Sequence, residues 1–353
     1  MKACCRRLRT FVFLTIVLFH LRLANAEQTK IGVIVPLTGA LAEYGIAVRN
    51  GVELALHETE APLSIVWEDS QSETTLAVSA FNRLQSGGAE LVIVWGTTAT
   101  EAVASLAERY RLPLLAVSVS PSVSLKRAYI VRTVAPADRI VLPLTEHLRE
   151  SNVKHVVLLK TEWSYTEELA QALREQLPGI RLAERSFNRA ERDFRTTILR
   201  IKAEQPDTVG VFLGVGQTSA FFRQAEQLGL QARIFGSDFF SSEKEIEDSG
   251  PLIEGAVFPH HATCEAFTKV YFERFHNETH LPYAVNAFDI TRLLVKLAFS
   301  GTGNNLFENL QAVGQQIGIC GTFTFENSSR YGKHFNYPVG LYKVQGGKVA
   351  RVR

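Results

Sequence analysis

Four turns in this sequence gather the groups that hold small charged molecules. Trp95-Gly96-Thr97-Thr98-Ala99-Thr100-Glu101 sets hydroxyls and free backbone N–H groups at the start of a helical pattern, a natural anion site, although on the residues alone Thr98 or Thr100 as a mere helix cap is the simpler reading. Val117-Ser118-Val119-Ser120-Pro121-Ser122 repeats the hydroxyl-rich pattern after the next apolar run. Thr161-Glu162-Trp163-Ser164-Tyr165-Thr166 brings Tyr165 to a helix start. There an aromatic face with a polar tip suits either packing or a ligand that is part apolar and part charged. Phe235-Gly236-Ser237-Asp238-Phe239 supplies a carboxylate. Asp238 either bonds its own backbone or, if buried, calls for a cationic partner, because an unpaired buried charge is costly.

Other chemistries are less well supported. Gly214-Val215-Gly216-Gln217-Thr218-Ser219 follows a strand and opens a helix like a dinucleotide-binding turn, but Ser219 stands where the third glycine is required. His276-Asn277-Glu278-Thr279-His280 spaces two histidines by four, yet Asn277 occupies the place of a zinc peptidase's glutamate, and the pair reads as solvated helix-end histidines. No Ser-His-Asp or Cys-His arrangement has a context that favours a nucleophile. The missing motifs count against catalysis, and the expectation is no enzyme, no cofactor and no metal.

The chain opens with Lys2, Arg6, Arg7 and Arg9, an apolar run from Phe11 to Phe19, and Ala24-Asn25-Ala26, the pattern of a signal peptide cleaved after residue 26. The run is too short to span a bilayer. Residues 1–26 hold five of the 38 Lys and Arg and none of the 36 Asp and Glu, so the remainder carries a net charge of −3. No nucleic-acid footprint follows from such a balance. Two cysteines remain, Cys264 and Cys320, either paired or as buried thiols.

The elements that position these turns alternate. Strand patterns fall at Ser64–Glu68, Glu90–Trp95, Leu114–Val117, His155–Lys160, Thr208–Leu213, Arg233–Gly236 and Gly255–Phe258. Helical patterns lie between them at Thr74–Gln85, Glu101–Tyr110, Tyr165–Gln176, Asp193–Glu204 and Gln217–Gln227. Such alternation predicts parallel βαβ units in two half-chains, with ligands outside the carboxyl ends of the strands. Helices are then expected at Cys264–Phe275, Ala284–Phe299 and Leu306–Gln316, followed by hairpin strands. In Lys30–Glu58, a strand carried by Ile31, Val33 and Val35 runs through Pro36-Leu37-Thr38-Gly39 into a helix. On that helix Ala47, Gly51, Leu54 and Ala55 share a face, and Gly51 is expected to let it lie close to a sheet.

The stretch PLTGALAEYG, followed by Gly51 and ELALHE, resembles the start of type I periplasmic binding proteins, in particular the amino-acid-binding subfamily that serves ABC transporters for leucine, isoleucine and valine. The resemblance runs over almost the whole mature chain. It implies an α/β fold of two Rossmann-like lobes with parallel central sheets joined by a three-stranded hinge. Residues 27–134 plus 259–322 would form the N-terminal lobe and 135–258 plus 323–353 the C-terminal lobe, with crossings near Val134, Pro259 and Phe323. By the same resemblance Thr98, Ser118 and Ser120 would hold an α-carboxylate, Asp238 an ammonium, Tyr165 the far wall and Tyr44 the rim, while Asp69 would be structural. The family's further aromatic after the Val209–Leu213 run is replaced by Gly214-Val215-Gly216, which would widen the pocket or bring backbone to the ligand. The implied partners are a small-molecule ligand and an ABC permease, or a sensor kinase in a receptor of the same fold. The implied state is a periplasmic monomer.

Overall fold

The computed structural model describes residues 28–58, 63–300 and 305–352. The expected signal peptide, residues 1–26, lies outside the described residues. The chain starts with β1 (Thr29–Val35), α1 (Ala42–His57), β2 (Leu63–Asp69), α2 (Thr74–Ser86), β3 (Leu91–Trp95), α3 (Thr97–Tyr110), β4 (Leu114–Val117) and β5 (Ile130–Arg132). β1, β3 and β4 are near-continuous Val, Ile and Leu, as strands covered by helices on both faces must be. All five strands pair in parallel.

After Arg132 the chain leaves this sheet for α4 (Ala137–Ile140), α5 (Leu142–Glu150), β6 (His155–Thr161), α6 (Ser164–Gln176), β7 (Arg181–Phe187), α7 (Arg195–Glu204), β8 (Thr208–Phe212), α8 (Gln217–Gln227), β9 (Arg233–Gly236), α9 (Glu243–Ser249) and β10 (Val257–His261). It returns through α10 (Glu265–Phe275), α11 (Leu281–Phe299), α12 (Leu306–Ala312), β11 (Gln315–Gly318), β12 (Gly321–Ser328) and β13 (Gly332–Asn336), and ends in β14 (Val339–Gln345) and β15 (Lys348–Arg351). The strand orders are β11-β12-β13-β5-β4-β3-β1-β2 and β15-β14-β10-β9-β8-β6-β7. Two lobes with mostly parallel sheets result. The sheets exchange chain after Arg132, after His261 and after Asn336.

Several expectations shift. The third crossing does not fall at Phe323, because β12 and β13 extend the first sheet: β13 pairs with β5 through His334 and Arg132, and Phe323 and Phe335 are buried edge to face. Gly51 approaches a helix and not a sheet. A Cβ there would lie 2.2 Å from the Ala284 carbonyl oxygen on α11. The helix expected at Leu306–Gln316 stops at Ala312, and β11 takes up the rest. β7, whose sequence RLAERSF is charged at Arg181, Glu184 and Arg185, escaped the strand pattern because it is an edge strand. Cys264 and Cys320 are joined in a disulfide, their Cα atoms 5.3 Å apart.

At the first crossing Arg132 is fully buried, donating to the Val119 and Tyr331 carbonyls and to Ser124 Oγ. Burial brings its guanidinium down to about 10. One buried cation thus ties β5, the loop after β4 and the β12–β13 hairpin, satisfied by oxygen acceptors and not by an ion pair.

Candidate functional site

A cavity of about 290 Å³ opens between the lobes and is lined by the carboxyl ends of β3, β4, β6 and β9 and by β10 at the crossing. Its first-lobe wall starts at Gly96, whose φ of 93° lets the chain turn directly from β3 into α3. The helix therefore begins four residues before the Glu101 start expected. No side chain caps it, and Thr100 Oγ1 instead donates back to the Gly96 carbonyl at 2.8 Å. The N–H groups of Thr97, Thr98 and Ala99 consequently lack intrahelical acceptors, and all three residues line the cavity. Ser118, 2% exposed, lines it too and donates to Thr97 Oγ1 at 3.0 Å. Ser120 does not. Its hydroxyl crosses between the lobes to Glu168 Oε1 at 2.7 Å.

On the facing wall Asp238 opens the single turn after β9, and Tyr165 stands at the start of α6. The Tyr165 hydroxyl donates to Asp238 Oδ1, and Tyr283 of α11 donates to Oδ2 at 2.6 Å. Burial raises the Asp238 carboxyl above its ordinary range, against the two tyrosine bonds and the nearby His280. Among the described residues no Lys or Arg forms an ion pair with it.

Tyr44 is not a rim residue. It is fully buried, stacked on His280 at 3.8 Å and packed against Trp95 and Tyr283, so it supports the cavity from behind. The reason is its place on α1, whose inward face meets α11. Asp69 is structural: it accepts the Leu37 and Gln71 N–H groups and the Thr38 hydroxyl, fixing the turn after β1.

Sequence patterns missed much of the lining. Trp95, Trp163, Arg189, Arg192, His260, His261 and Tyr283 all face the cavity. A Cβ at Gly214 would lie 2.7 Å from the Trp163 ring, so the glycine makes room for an indole supplied by the neighbouring turn and the pocket is not simply widened. Arg189 lies over that indole, 4.8 Å from the centroid. The signal for Trp163 was present in the same turn as Tyr165. The histidines and Tyr283 were invisible because they come from the crossing and from the returning α11.

The rival readings resolve locally. Glu245 accepts the Gly216 and Ser219 N–H groups, so a carboxylate of the chain already fills the N-terminus of α8 where a dinucleotide phosphate would sit. His276 ends α10 and His280 precedes α11, so the two share no helix. His280 is also not solvated: at 2% exposure it meets Ser241 Oγ at 3.0 Å and Glu43 at 3.2 Å. Among the described residues no group of three His, Cys, Asp or Glu could hold a metal.

The family model described as periplasmic binding protein matches residues 28–348. The chain is 29% identical to the Leu/Ile/Val-binding protein BraC3 of Rhizobium johnstonii over 67% of this chain and 68% of that protein. It is 24% identical to the Leu/Ile/Val-binding protein of Escherichia coli K12 over the same shares. Among solved structures, a leucine-binding protein from Thermotoga maritima superposes with a TM-score of 0.83 at 21% identity, covering 92% of this chain and 98% of that one. A Rhodopseudomonas palustris solute-binding protein in complex with benzoate gives 0.79 at 18% identity, covering 92% and 95%. With an unpaired helix N-terminus facing a buried carboxylate across an interlobe cavity, the chain belongs to the type I periplasmic binding proteins of the Leu/Ile/Val-binding family, which are solute-binding proteins and not enzymes.

Proposed function

We propose that this chain is a periplasmic protein, exported by a signal peptide cleaved after residue 26, that captures an amino acid or related amine-bearing carboxylate and delivers it as a monomer to an ABC permease. Asp238 carries the reading. Its two oxygens each accept a tyrosine hydroxyl and retain further acceptor capacity, while burial makes an added cation favourable. A ligand ammonium fits that place. The carboxylate of the same ligand would take the α3 N-terminus, with the N–H groups of Thr97 and Thr98 and the Thr97 hydroxyl, which Ser118 orients by donating to it and which keeps its own proton for the ligand. Tyr165, Trp163 and Trp95 enclose the carbon skeleton. Tyr44 and Ser120, read as contacts from sequence, act instead as support and as a bond between lobes.

Ligand touching both lobes would stabilise their approach by its differential affinity for the closed state. Ser120–Glu168, Ser164–Glu101 and Ser242–Glu43 already bridge the lobes, the first two at 2.7 and 2.9 Å. A thermal-shift screen of residues 27–353 against amino acids and amine-free acids tests the proposal. Saturable stabilisation by free amino acids is expected, and a response confined to amine-free acids would remove Asp238 from its role.

A further inference from the structure

The loop after β7 brings two cations to the cavity that the carboxylate and ammonium sites do not use. Arg189 and Arg192 both line it, and both are open to solvent, within reach of a ligand. Two glutamines of α8 hold the backbone of this loop. Gln217, 1% exposed, donates to the Asn188 and Glu191 carbonyls at 2.8 and 3.3 Å, and Gln224 donates to the Arg192 carbonyl at 2.6 Å. The acids of the loop are committed elsewhere. Glu191 turns back to accept the Arg192 and Asp193 N–H groups at 2.9 and 2.8 Å, and Asp193 pairs with Arg195 at 3.2 Å. Arg192 Nη1 donates to the Arg189 and Glu191 carbonyls, which leaves Nε and Nη2 for another acceptor. Among the described residues neither arginine forms an ion pair. Arg189 lies over the Trp163 indole, 4.8 Å from its centroid, and that ring meets Phe239, next to Asp238, at 5.7 Å. An aromatic track thus runs from the proposed ammonium site out to Arg189. Burial lowers the Arg189 guanidinium from its ordinary range, against the attraction of Glu73 on the first-lobe side of the cavity, and a partly desolvated cation gains from an added anion.

Resting on the function proposed above, we infer that Arg189 on its indole, with Arg192 beside it in the loop, forms an anion subsite that takes a second carboxylate at the far end of the ligand. The ligand is thus an amine-bearing dicarboxylate, its skeleton laid along Phe239 and Trp163. The guanidinium is a planar fork of donors that matches a carboxylate with two parallel hydrogen bonds, and stacking on an aromatic face pre-orients it. An uncharged side chain would leave both cations unpaired in the closed cavity, and a site built to bond a polar group rejects the analogue that lacks it.

The test is calorimetric titration of the wild-type protein with pairs that differ only in the charge of the far group: aspartate against asparagine, glutamate against glutamine, and 2-aminoadipate against its side-chain amide. Leucine and glutarate are added as an uncharged amino acid and an amine-free diacid, and Arg189→Gln is titrated in parallel. The acid of at least one pair is expected to bind 10-fold or more tightly than its amide, and that preference is expected to shrink at least 10-fold in Arg189→Gln. Amides or leucine binding as tightly as the acids would overturn the subsite while leaving the amine-bearing carboxylate reading intact. Equal losses for acid and amide in Arg189→Gln would also overturn it, because they would make Arg189 a closing contact toward Glu73 and not a reader of the ligand. Glutarate binding as tightly as glutamate, with the loss in Arg189→Gln retained, would keep the subsite and overturn the amine reading. Silence across all of these ligands would overturn both.

Discussion

Asp238, His260 and His261 are charged or chargeable groups shut away from water, and each has a measurable consequence. Asp238→Asn keeps the shape of the turn and removes the charge that an ammonium would meet. Truncating one side of a buried charge pair weakens binding by about 2 kcal/mol or more, roughly 30-fold. Calorimetry is expected to show that loss for amine-bearing ligands, with little change for amine-free ones. Equal losses for both classes would mean that the residue shapes the pocket without reading the amine. The histidines predict a pH dependence. Burial holds His261 down to about 4 in the folded chain, whereas the unfolded chain takes up its proton near 6.5. Between these values the unfolded state binds more protons, so this contribution to stability is full near pH 7 and is lost as pH falls toward 4. Asp238, raised by burial, acts in the opposite sense: its proton is held by the folded state as pH rises above the usual carboxylate range. Comparing urea denaturation of wild type and His261→Phe at pH 7 and pH 5 leaves the Asp238 contribution common to both. The variant is expected to lose less stability on acidification than the wild type, and parallel losses would contradict the assignment.

At the scale of elements, α1 and α11 are held close by a residue with no side chain. Gly51→Ala would gain about 1 kcal/mol of helix propensity but place a Cβ 2.2 Å from a backbone oxygen of α11, and overpacking costs about 1–3 kcal/mol. A lower melting temperature is expected, and an unchanged one would mean that the helices separate at no cost. The Cys264–Cys320 disulfide ties the start of α10 to the β11–β12 turn across 56 residues of sequence. Loop-closure entropy assigns such a bridge about 4 kcal/mol, so reduction is expected to lower the urea midpoint clearly. The alternating βαβ units were legible because parallel strands covered on both faces are unbroken apolar runs, as in β3 and β8. What escaped was governed by long-range packing. β7 is a polar edge strand, β12 and β13 join the first sheet through one pairing with β5, and the fate of Gly51 depends on a helix more than 200 residues away. The same division holds in the site. Thr98, Ser118, Tyr165 and Asp238 sit at strand ends, where the fold class already directs attention, whereas His260, His261 and Tyr283 enter from the crossing and from α11. Tyr44 and Ser120 share the right segments but point into the packing behind the cavity or across it, which only the assembled lobes decide.

For the whole molecule, the two sheets are joined by three short stretches of chain, and the proposed ligand site is the seam between them. Tyr283 reaches from the first lobe to Asp238 in the second, and Ser120, Glu101 and Glu43 reach toward partners on the other side. A ligand that adds a carboxylate contact on one wall and an ammonium contact on the other joins the lobes through its own covalent frame. At about 100 times its dissociation constant it should add roughly 2.7 kcal/mol of stability. The most direct measurement is a calorimetric titration of the mature protein with an amino acid that stabilises it and with the same molecule lacking only the amine. The account predicts saturable one-site binding of the amino acid and affinity lower by at least 30-fold without the amine. Equal affinity for the two, or tighter binding of the amine-free acid, would contradict it.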